Sequence, residues 1–460
     1  MKPSPPPSPG SKRGGVKPSP QPSPASGRGS GSVPSPRLRG EGQGEGLWRW
    51  WILVFTSIAL FGNYYVYDSI APVADLLQRQ LDFSDTQLGT LNAIYSLPNI
   101  VMVLIGGVLV DRYGAGSVTF WTAVICLAGA VATALGSEFW LMATGRLLFG
   151  LGAETMIVAT LAAIGQWFAG RTVGLAMGLS VSVARAGSYA ADLSPTFAAS
   201  LYEQGWQPPL GFAAAVAALG LAGAAVYWII DQRASRARTI VPAAASERFA
   251  WSDVWRFDRS YWYLLALCVL FYSVIFPFRS TFAIKYFQHA HDLPLDAASL
   301  MNSYVFFAAI FATPAFGWMV DRFGRRALFM MFGSLLLMLS FVTLAMTPWD
   351  LSVSTALIGI SFSLVPAVLW PAVSMLVEQR RLGTAFGLMT MLQNIGLTVC
   401  NVAVGWLNDA NHAGADNPDG YLPMLVFFGV LSFLALTFAW LLRRQEVSQA
   451  GHGLERAIRT

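Results

Sequence analysis

The chain has 460 residues, of which 55% are hydrophobic and only 12% are charged. Soluble domains carry about 25% charged residues, so this composition excludes an ordinary soluble protein. The formal net charge of +5 is spread over tails and loops and does not indicate a nucleic-acid-binding surface. The three cysteines lie far apart in apolar segments, so we expect no disulfide, no metal site and no cofactor.

Residues 1–46 form a separate segment that is rich in proline, serine and glycine. The segment repeats the unit PSP and has no apolar run, so it cannot bury enough surface to offset the entropy lost on ordering. We therefore predict a disordered tail. It contains no secretory signal, because such a signal needs an apolar region.

From Leu47 onward, apolar segments recur, each separated from the next by a short polar stretch. A helix of about 20 apolar residues crosses a bilayer, and helices are required because lipid offers no partner for backbone polar groups. The sequence therefore predicts an all-α membrane protein that spans the lipid bilayer twelve times. The predicted spans are 48–68, 87–110, 117–136, 139–165, 173–200, 209–230, 260–285, 296–320, 326–347, 350–373, 382–407 and 421–442.

The basic residues predict the orientation of the chain. With a cytoplasmic N-terminus, the inward loops and the C-terminal tail hold most arginines, whereas the outward loops hold mainly Arg79 and Lys285 beside several acidic residues. This bias follows the positive-inside rule and places both termini in the cytoplasm. The predicted domains are a tail (1–46), an N-terminal six-helix bundle (47–231), a basic linker (232–259), a C-terminal six-helix bundle (260–444) and a second tail (445–460).

One ionisable residue lies near the middle of each of two consecutive spans, Glu154 in the fourth and Arg185 in the fifth. Both are equally far in sequence from the turn at Ala169–Gly170, about 20 Å away along a helix. A charge at that depth costs several kcal/mol unless it is paired or hydrated. Two interpretations are open: an ion pair that only joins two helices, or a pair that lines a cavity and binds a solute. Asp192, on the face of Arg185, either orients that arginine or accepts a substrate amine.

The first two spans carry further polar side chains. Tyr64, Tyr67 and Asp68 lie on the outer half of the first span, and Tyr95 and Asn99 share a face of the second. For the tyrosines, cavity lining and helix packing are alternatives. Asp68 either binds a cation or a proton, or is a solvated helix end. All five are candidate substrate-binding residues.

The second half of the chain offers aromatic and amide groups in place of matched charges. Trp370 is a candidate for an apolar cavity wall, and Gln393 and Asn394 either bind a peptide backbone or join helices. Arg279 follows a Phe-Pro-Phe sequence that predicts a bend in the seventh span. It is either a second anion contact or, in the interpretation we favour, a side chain that snorkels to the outer interface.

A short motif occurs in both halves of the chain. GGVLVDRYG at 106–114 follows the second span, and GWMVDRFGRR at 317–326 follows the eighth. Together with GRLLFGLGAE at 145–154, these motifs resemble the signature of the major facilitator superfamily. The resemblance implies two six-helix halves that rock about a central site and open it to each side of the membrane in turn.

The aspartates of the repeated motif are candidate gate residues. Asp111 and Asp321 lie at cytoplasmic helix ends beside arginines, where an aspartate can face the positive end of a neighbouring helix. The resemblance implies that they join the two halves on the cytoplasmic side when the cavity opens outward. The candidate gating residues are Asp111, Arg112, Asp321, Arg322 and, from the fourth-helix motif, Arg146.

Further stretches resemble the lysosomal dipeptide uniporter branch of this superfamily. They are FGNYYVYD (61–68), YSLPN (95–99), GRLLFGLGAE (145–154), SVARAGS (182–188), FPF (276–278), LWPAV (369–373) and LGTAFGLMTMLQNIG (382–396). The resemblance implies a transporter of small peptides. In that branch, the residues that match Glu154 and Arg185 lie in the substrate cavity.

The two charges also suit a dipeptide on chemical grounds, because its ammonium and carboxylate lie about 5–7 Å apart when it is extended. Arg185 offers a planar fork for a carboxylate, and Glu154 accepts from an ammonium. We predict a monomeric secondary transporter, not an enzyme, in a bacterial inner membrane. It moves dipeptides or similar small zwitterions by alternating access and uniport. The alternative is a proton-coupled symporter of small organic anions, in which Glu154 or Asp68 carries the proton.

Two other classes of protein have less support. A membrane receptor without transport activity gives no reason for matched charges at mid-membrane. An enzyme is disfavoured because the histidines are expected in loops or a tail, away from the core charges. The histidines are His289, His291, His412 and His452.

Overall fold

The computed structural model of the chain describes residues 43–168, 172–237, 251–346, 351–448 and 451–456. Twelve long helices dominate these ranges. They are α1 (Gln43–Asp68), α2 (Asp85–Tyr113), α3 (Ala115–Leu135), α4 (Phe139–Trp167), α5 (Val173–Phe197), α6 (Gln207–Ala237), α7 (Arg259–His291), α8 (Leu295–Phe323), α9 (Arg326–Met346), α10 (Leu351–Leu376), α11 (Leu382–Ala410) and α12 (Leu422–Val447).

Each predicted span falls on one of these helices, and the prediction of an all-α membrane protein is confirmed. Within the described ranges, 10 helices are long and apolar enough to cross a membrane by length and composition. The two that are not among them, α1 and α5, carry polar side chains such as Asp68, Arg185 and Asp192. The turn predicted at Ala169–Gly170 and most of the predicted N-terminal tail lie outside the described residues, and α1 begins at Gln43.

The seventh helix is built from three segments. Its first α-helical part ends at Pro277, a π-helical turn covers Phe278–Phe282, and the α-helix resumes at Ala283. Pro277 has no backbone N–H and so removes one helical hydrogen bond. Single π-helical turns inside α-helices are frequent at functional sites. The disturbance lies where the Phe-Pro-Phe sequence predicts a bend, and Arg279 lies within it.

The helices pack as two halves, α1–α6 and α7–α12. The main contacts between the halves run along two helix pairs, α2 with α11 and α5 with α8. We name the end where α1 ends and α2 begins the outer end, following the charge bias, and the opposite end the inner end. Gly89 and Gly405 lie where α2 and α11 meet near the outer end. A Cβ atom at either glycine would collide with the backbone of the other helix, so small residues allow this close approach.

Candidate functional site

An arginine bound by two aspartates joins the two halves at the outer end. Arg279, on the π-helical turn of α7, donates from Nη1 to Oδ2 of Asp192 at 2.9 Å and pairs through Nη2 with Asp68. Asp68 ends α1 and Asp192 lies near the outer end of α5, so one guanidinium of the second half binds two helices of the first. The side chains of all three are at most 1% exposed. We name these three residues the outer cluster.

The outer cluster corrects three interpretations of the sequence. Arg279 does not snorkel to the interface, because the two aspartates provide carboxylate partners in the interior. Asp68 is not a solvated helix end, because its side chain is buried and pairs with Arg279. Asp192 pairs with Arg279 and not with Arg185. In this structure Asp68 and Asp192 join the first half to Arg279 of the second half.

A second layer of contacts between the halves lies close to the outer cluster. Lys285 of α7 is ion-paired with Asp85 at the start of α2, and both side chains are buried. Asp409, near the end of α11, accepts from the backbone N–H groups of Asp85 and Thr86, each at 2.8 Å. The first N–H groups of a helix have no helical partners, and a carboxylate there is stabilised by the helix dipole. The second half thus caps a helix of the first.

His289 joins the halves beyond this layer. Its Nε2 lies 2.8 Å from Oδ1 of Asp75, in the short helix Ala74–Leu81, and its Nδ1 lies 2.9 Å from the hydroxyl of Tyr421. The expectation that His289 and His291 lie in a loop is wrong, since both belong to α7 and His289 is buried. The helix continues past the predicted end of the span because it resumes after the π-helical turn.

Arg146 supports the outer end from within the first half. Its guanidinium donates to the carbonyl oxygens of Val66 (3.1 Å) and Tyr67 (3.2 Å) at the end of α1, and to Oδ1 of Asn92 at 2.5 Å. Asn92 in turn donates to Oγ1 of Thr281 on α7 at 2.7 Å. Arg146 is predicted as a gating residue, and the structure places it among the contacts of the outer end, because α4 begins there.

Glu154 and Arg185 lie at the middle of their helices. Arg185 is the central residue of α5, and Glu154 lies next to the centre of α4. The two are not paired, since in the described structure no nitrogen of Arg185 lies within 4.0 Å of a carboxylate oxygen of Glu154. The interpretation that they form an ion pair joining two helices therefore does not apply to this state.

Both central charges are left available to a ligand. The guanidinium of Arg185 lies 4.5 Å from the ring centroid of Phe362 in the second half, and its Nε has no partner within the described structure. Glu154 is half-buried and makes no hydrogen bond or ion pair with any described residue. Tyr64 interacts electrostatically with both charges. The guanidinium of Arg185 and the carboxylate of Glu154 therefore both lie near the hydroxyl of Tyr64. Phe362 packs against the guanidinium.

The other residues predicted on the first two helices are Tyr67, Tyr95 and Asn99. The rings of Tyr67 and Tyr95 pack at 4.7 Å between centroids, and Tyr67 also contacts Phe276 at 6.2 Å. The guanidinium of Arg146 lies 5.9 Å from the centroid of Tyr67 and 5.5 Å from that of Tyr95. The two tyrosines therefore pack between helices in this state. Asn99 is fully buried, and neither of its amide atoms has a partner in the described structure.

The predicted residues of the second half differ in their surroundings. Trp370 is half-buried, and its Nε1 donates to the hydroxyl of Tyr272 at 2.9 Å. Oε1 of Gln393 accepts from the thiol of Cys268 at 3.6 Å. Asn394 is buried, and its amide donates to a carbonyl oxygen of its own helix at 2.9 Å. Trp370 therefore remains a candidate for an apolar cavity wall. Gln393 links α11 to α7, and Asn394 is hydrogen-bonded within its own helix, α11.

The predicted cytoplasmic gate residues are exposed at the inner end, where Asp321 binds Arg326 of its own half at 2.7 Å. The guanidinium of Arg322 lies 5.7 Å from the ring centroid of Trp318, also in its own half. Asp111 and Arg112 are exposed. Among the described residues, every hydrogen bond and ion pair between the two halves lies in the outer half of the bundle. The polar contacts that join the halves within the described residues are therefore those of the outer half.

Sequence reasoning missed Lys285, Asp85 and Asp409 as partners, because each was counted only among the loop charges that set the orientation. A signal was available, since Lys285 and Arg279 are basic residues inside a predicted apolar span, where charges are costly. The carboxylates and the histidine of the outer end are engaged with one another. Among the described residues, no group of three or more His, Cys, Asp or Glu could hold a metal ion.

Two six-helix halves around a polar site at mid-membrane are typical of secondary transporters. The family model of the Major Facilitator Superfamily matches residues 56–289 and 278–458, which together cover most of the chain. The chain belongs to the major facilitator superfamily and is a transporter, not an enzyme. The resemblance seen in the repeated motif is confirmed.

The chain is also similar to relatives named lysosomal dipeptide transporter MFSD1. It is 32% identical to the protein of Danio rerio over 397 residues, which are 84% of each chain. It is 31% identical to the protein of Homo sapiens over 417 residues, which are 86% of each chain. The resemblance to the dipeptide branch is therefore confirmed as well.

Among solved structures, the fold is similar to that of a bacterial homologue of the human lysosomal transporter Spinster in an inward-facing, unoccupied conformation. The TM-score is 0.70 at 16% identity, covering 86% of this chain and 97% of the other. The nucleoside transporter NupG gives a TM-score of 0.68 at 13% identity, covering 85% of this chain and 99% of the other. At these identities the likeness concerns the fold alone.

Proposed function

We propose that the chain transports dipeptides or similar small zwitterions by alternating access, as a uniporter. The observation that carries the proposal is the unpaired state of Glu154 and Arg185 at mid-depth. A site with two separated opposite charges is suited to a ligand that carries both charges itself. A simple anion would satisfy Arg185 and leave the carboxylate without a partner.

The charges have distinct roles in this proposal. Arg185 binds the substrate carboxylate with its guanidinium fork, while Phe362 supports the guanidinium from the other half. Glu154 accepts hydrogen bonds from the substrate ammonium. Tyr64, near both charges, is available to the peptide backbone. Because each substrate charge has a partner, no charge is left buried and unpaired.

The relatives support the substrate class, since they are named dipeptide transporters. They are also named lysosomal, and this gives no support to the predicted bacterial inner membrane. We retain the coarser statement that the chain is an integral multi-pass membrane protein. Uniport and the monomeric state remain predictions.

Uptake of a labelled dipeptide into proteoliposomes tests the proposal. Glu154→Ala and Arg185→Ala should each reduce uptake about 100-fold or more, because an unpaired buried charge costs about 3–5 kcal/mol. Both variants should still insert and elute as folded protein. Glu203→Ala and Arg233→Ala remove exposed charges and serve as matched controls. Uptake at the control level by either central variant would overturn the assignment.

The same vesicles distinguish uniport from the alternative, a proton-coupled symporter of small organic anions. A uniporter equilibrates the dipeptide and responds to no imposed pH gradient. Accumulation above equilibrium that an uncoupler abolishes would exclude uniport. Competition by simple carboxylates, with none by dipeptides, would favour the anion symporter.

A further inference from the structure

A groove lies between α9 and α12 on the surface of the second half. Its volume is about 380 Å³, and its lining is apolar apart from one hydroxyl. That hydroxyl, of Thr437, donates to the carbonyl oxygen of Phe433 in its own helix at 2.9 Å. The apolar lining consists of large side chains, namely Leu328, Met331, Phe332 and Leu335 from α9 with Leu436 and Trp440 from α12.

The groove lies in the inner half of the membrane-spanning part. α9 begins at the inner end, and α12 ends there. On α9 the lining extends from Leu328 to Leu335, which is about 10 Å along a helix. Phe332 and Trp440 are each 49% exposed, so the groove is open to the surface and faces the lipid leaflet of the inner end.

Arginines lie at the inner end of this groove. The guanidinium of Arg444 lies 5.6 Å from the ring centroid of Trp440, one helical turn farther inward. Arg443 follows Leu436 by seven residues and therefore shares its face of α12. The Nε atom of Arg443 is buried and has no partner in the described structure. Arg325, which directly precedes α9, is exposed at the same end.

Two carboxylates near this end are engaged with other groups. Glu455 accepts from the backbone N–H of Leu328 at 3.2 Å, in the first turn of α9. Glu446 is buried and accepts from the hydroxyl of Ser260 on α7 at 2.7 Å. Among the described residues, no carboxylate oxygen lies within 4.0 Å of a nitrogen of either arginine of α12. The inner rim of the groove therefore offers cationic groups to a ligand.

This combination of groups suits an anionic phospholipid. An acyl chain can fill the apolar groove while the phosphate lies level with the arginines. The charge bias predicts that the inner end is cytoplasmic, and the cytoplasmic leaflet carries anionic lipids whose headgroups bind basic pockets between helices. A guanidinium also binds phosphate through paired hydrogen bonds. A partner helix is less suited, because helix interfaces in membranes are rich in small residues and this groove is lined by large ones.

We infer that the groove between α9 and α12 is a binding site for an anionic phospholipid. An acyl chain lies along Phe332 and Trp440, and Arg443 and Arg444 bind the phosphate. The inference does not depend on the transported solute, since the groove lies on the surface of one half and not between the halves. It gives the protein a lipid ligand in addition to a substrate.

Native mass spectrometry of the full chain in detergent tests the inference, with phosphatidylglycerol and phosphatidylcholine of the same acyl chains as probes. We expect the first phosphatidylglycerol to bind about tenfold more tightly than phosphatidylcholine. Arg444→Ala should weaken its binding about fivefold, and Arg443→Ala combined with Arg444→Ala about 30-fold, as expected for one and two basic residues near an anionic surface. The binding of phosphatidylcholine should not change in these variants.

Two matched controls separate the groove from its parts. The guanidinium of Arg322 also lies over a tryptophan at the inner end, 5.7 Å from the ring centroid of Trp318, but outside the groove. Arg322→Ala should therefore leave lipid binding unchanged. Thr437→Phe places a ring in the groove and should weaken phosphatidylglycerol binding as much as the single arginine variant does. Val430→Phe, at an exposed position of the same helix outside the groove, should have no effect.

Equal affinity for the two lipids would overturn the inference, as would equal phosphatidylglycerol binding in the double arginine variant and in Arg322→Ala. Displacement of the lipid by inorganic phosphate would show that the groove plays no part. A dimer of the chain in place of the lipid adduct would assign the groove to a second copy. If the double variant does not fold, Thr437→Phe decides, and unchanged lipid binding in that variant would overturn the inference.

Discussion

The outer and inner ends of the bundle both carry charged side chains but use them differently. At the outer end, Arg279, Lys285 and Asp409 of the second half bind groups of the first half. At the inner end, Asp321 binds Arg326 within one half, and both Asp111 and Asp321 are exposed. The charges of the outer end form buried ion pairs between the halves, whereas the two motif aspartates of the inner end are exposed.

This difference describes a state of the transporter in which buried polar contacts close the outer end. Removing one partner of a buried ion pair destabilises the structure by about 3–5 kcal/mol, because it leaves the other charge buried and unpaired. An exposed ion pair contributes only about 0–1 kcal/mol. The conformational equilibrium of the described structure therefore depends on the outer end. Substitutions there should change the state, and equivalent substitutions at the inner end should not open the outer end.

The largest effect is expected from Arg279→Ala. It leaves Asp68 and Asp192 buried without their cation, at a cost of about 3–5 kcal/mol, so the outer-closed state should lose at least about 100-fold in population. A cysteine introduced as Ser69→Cys, at a position 8% exposed near the outer end, reports this change. Its labelling by a membrane-impermeant maleimide should accelerate strongly.

Arg322→Ala provides the matched arginine at the inner end. Its guanidinium is exposed and contacts Trp318 in the same half, so labelling of the introduced cysteine should not accelerate. Equal labelling in Arg279→Ala and in the unsubstituted background would show that the outer cluster does not hold the outer end closed.

A smaller effect is expected from Asp409→Ala, which removes the cap on the two N–H groups of α2. Loss of a helix cap costs about 0.5–2 kcal/mol, so labelling of the same cysteine should accelerate by about tenfold. Asp416→Ala, at an exposed position after the same helix, is the control. An equal rate in both variants would contradict a role for the cap.

The smallest effect is expected from Asp75→Asn, at the edge of the outer end. Burial raises the pKa of Asp75, but the hydrogen bond from His289 and the charge of Arg79 outweigh burial and bring the pKa below its ordinary value of 3.8. A carboxylate with a lowered pKa stabilises the fold above its ordinary pKa and loses this contribution as pH falls through the folded-state pKa.

The difference in unfolding temperature between Asp75→Asn and the unsubstituted protein should therefore be the same at about pH 7 and about pH 5, and decrease only in more acidic solution. A difference that already disappears near pH 6 would contradict a lowered pKa of Asp75.

The fold could be predicted from the sequence because span length, loop charge and the repeated motif are local signals. Each helix is long enough to be recognised from its own sequence, and the structure differs from the prediction only in where helices begin and end. For example, α7 continues to His291, past the predicted end at residue 285. The central residues Glu154 and Arg185 were also recognised, since a charge in an apolar span stands out without knowledge of its surroundings.

The outer cluster could not be predicted in the same way. Arg279 is 87 residues from Asp192 and 211 from Asp68, so its partners depend on how the two halves meet. The π-helical turn also changes the direction of side chains after Pro277, and helical periodicity therefore misplaces Arg279. A lone arginine in an apolar span is expected at the membrane interface. That expectation is wrong for Arg279, because it has two carboxylate partners that are distant in sequence.

The equal and opposite charges of Glu154 and Arg185 have a consequence for energetics across the membrane. If the chain carries dipeptides as proposed, a zwitterion that matches these charges enters and leaves the site with no net charge, so its movement would be electroneutral. A membrane potential of about 100 mV changes the energy of one moving charge by about 2.3 kcal/mol, and for this substrate that work is zero. The distribution of the zwitterion then follows its concentrations alone, whatever voltage the membrane carries.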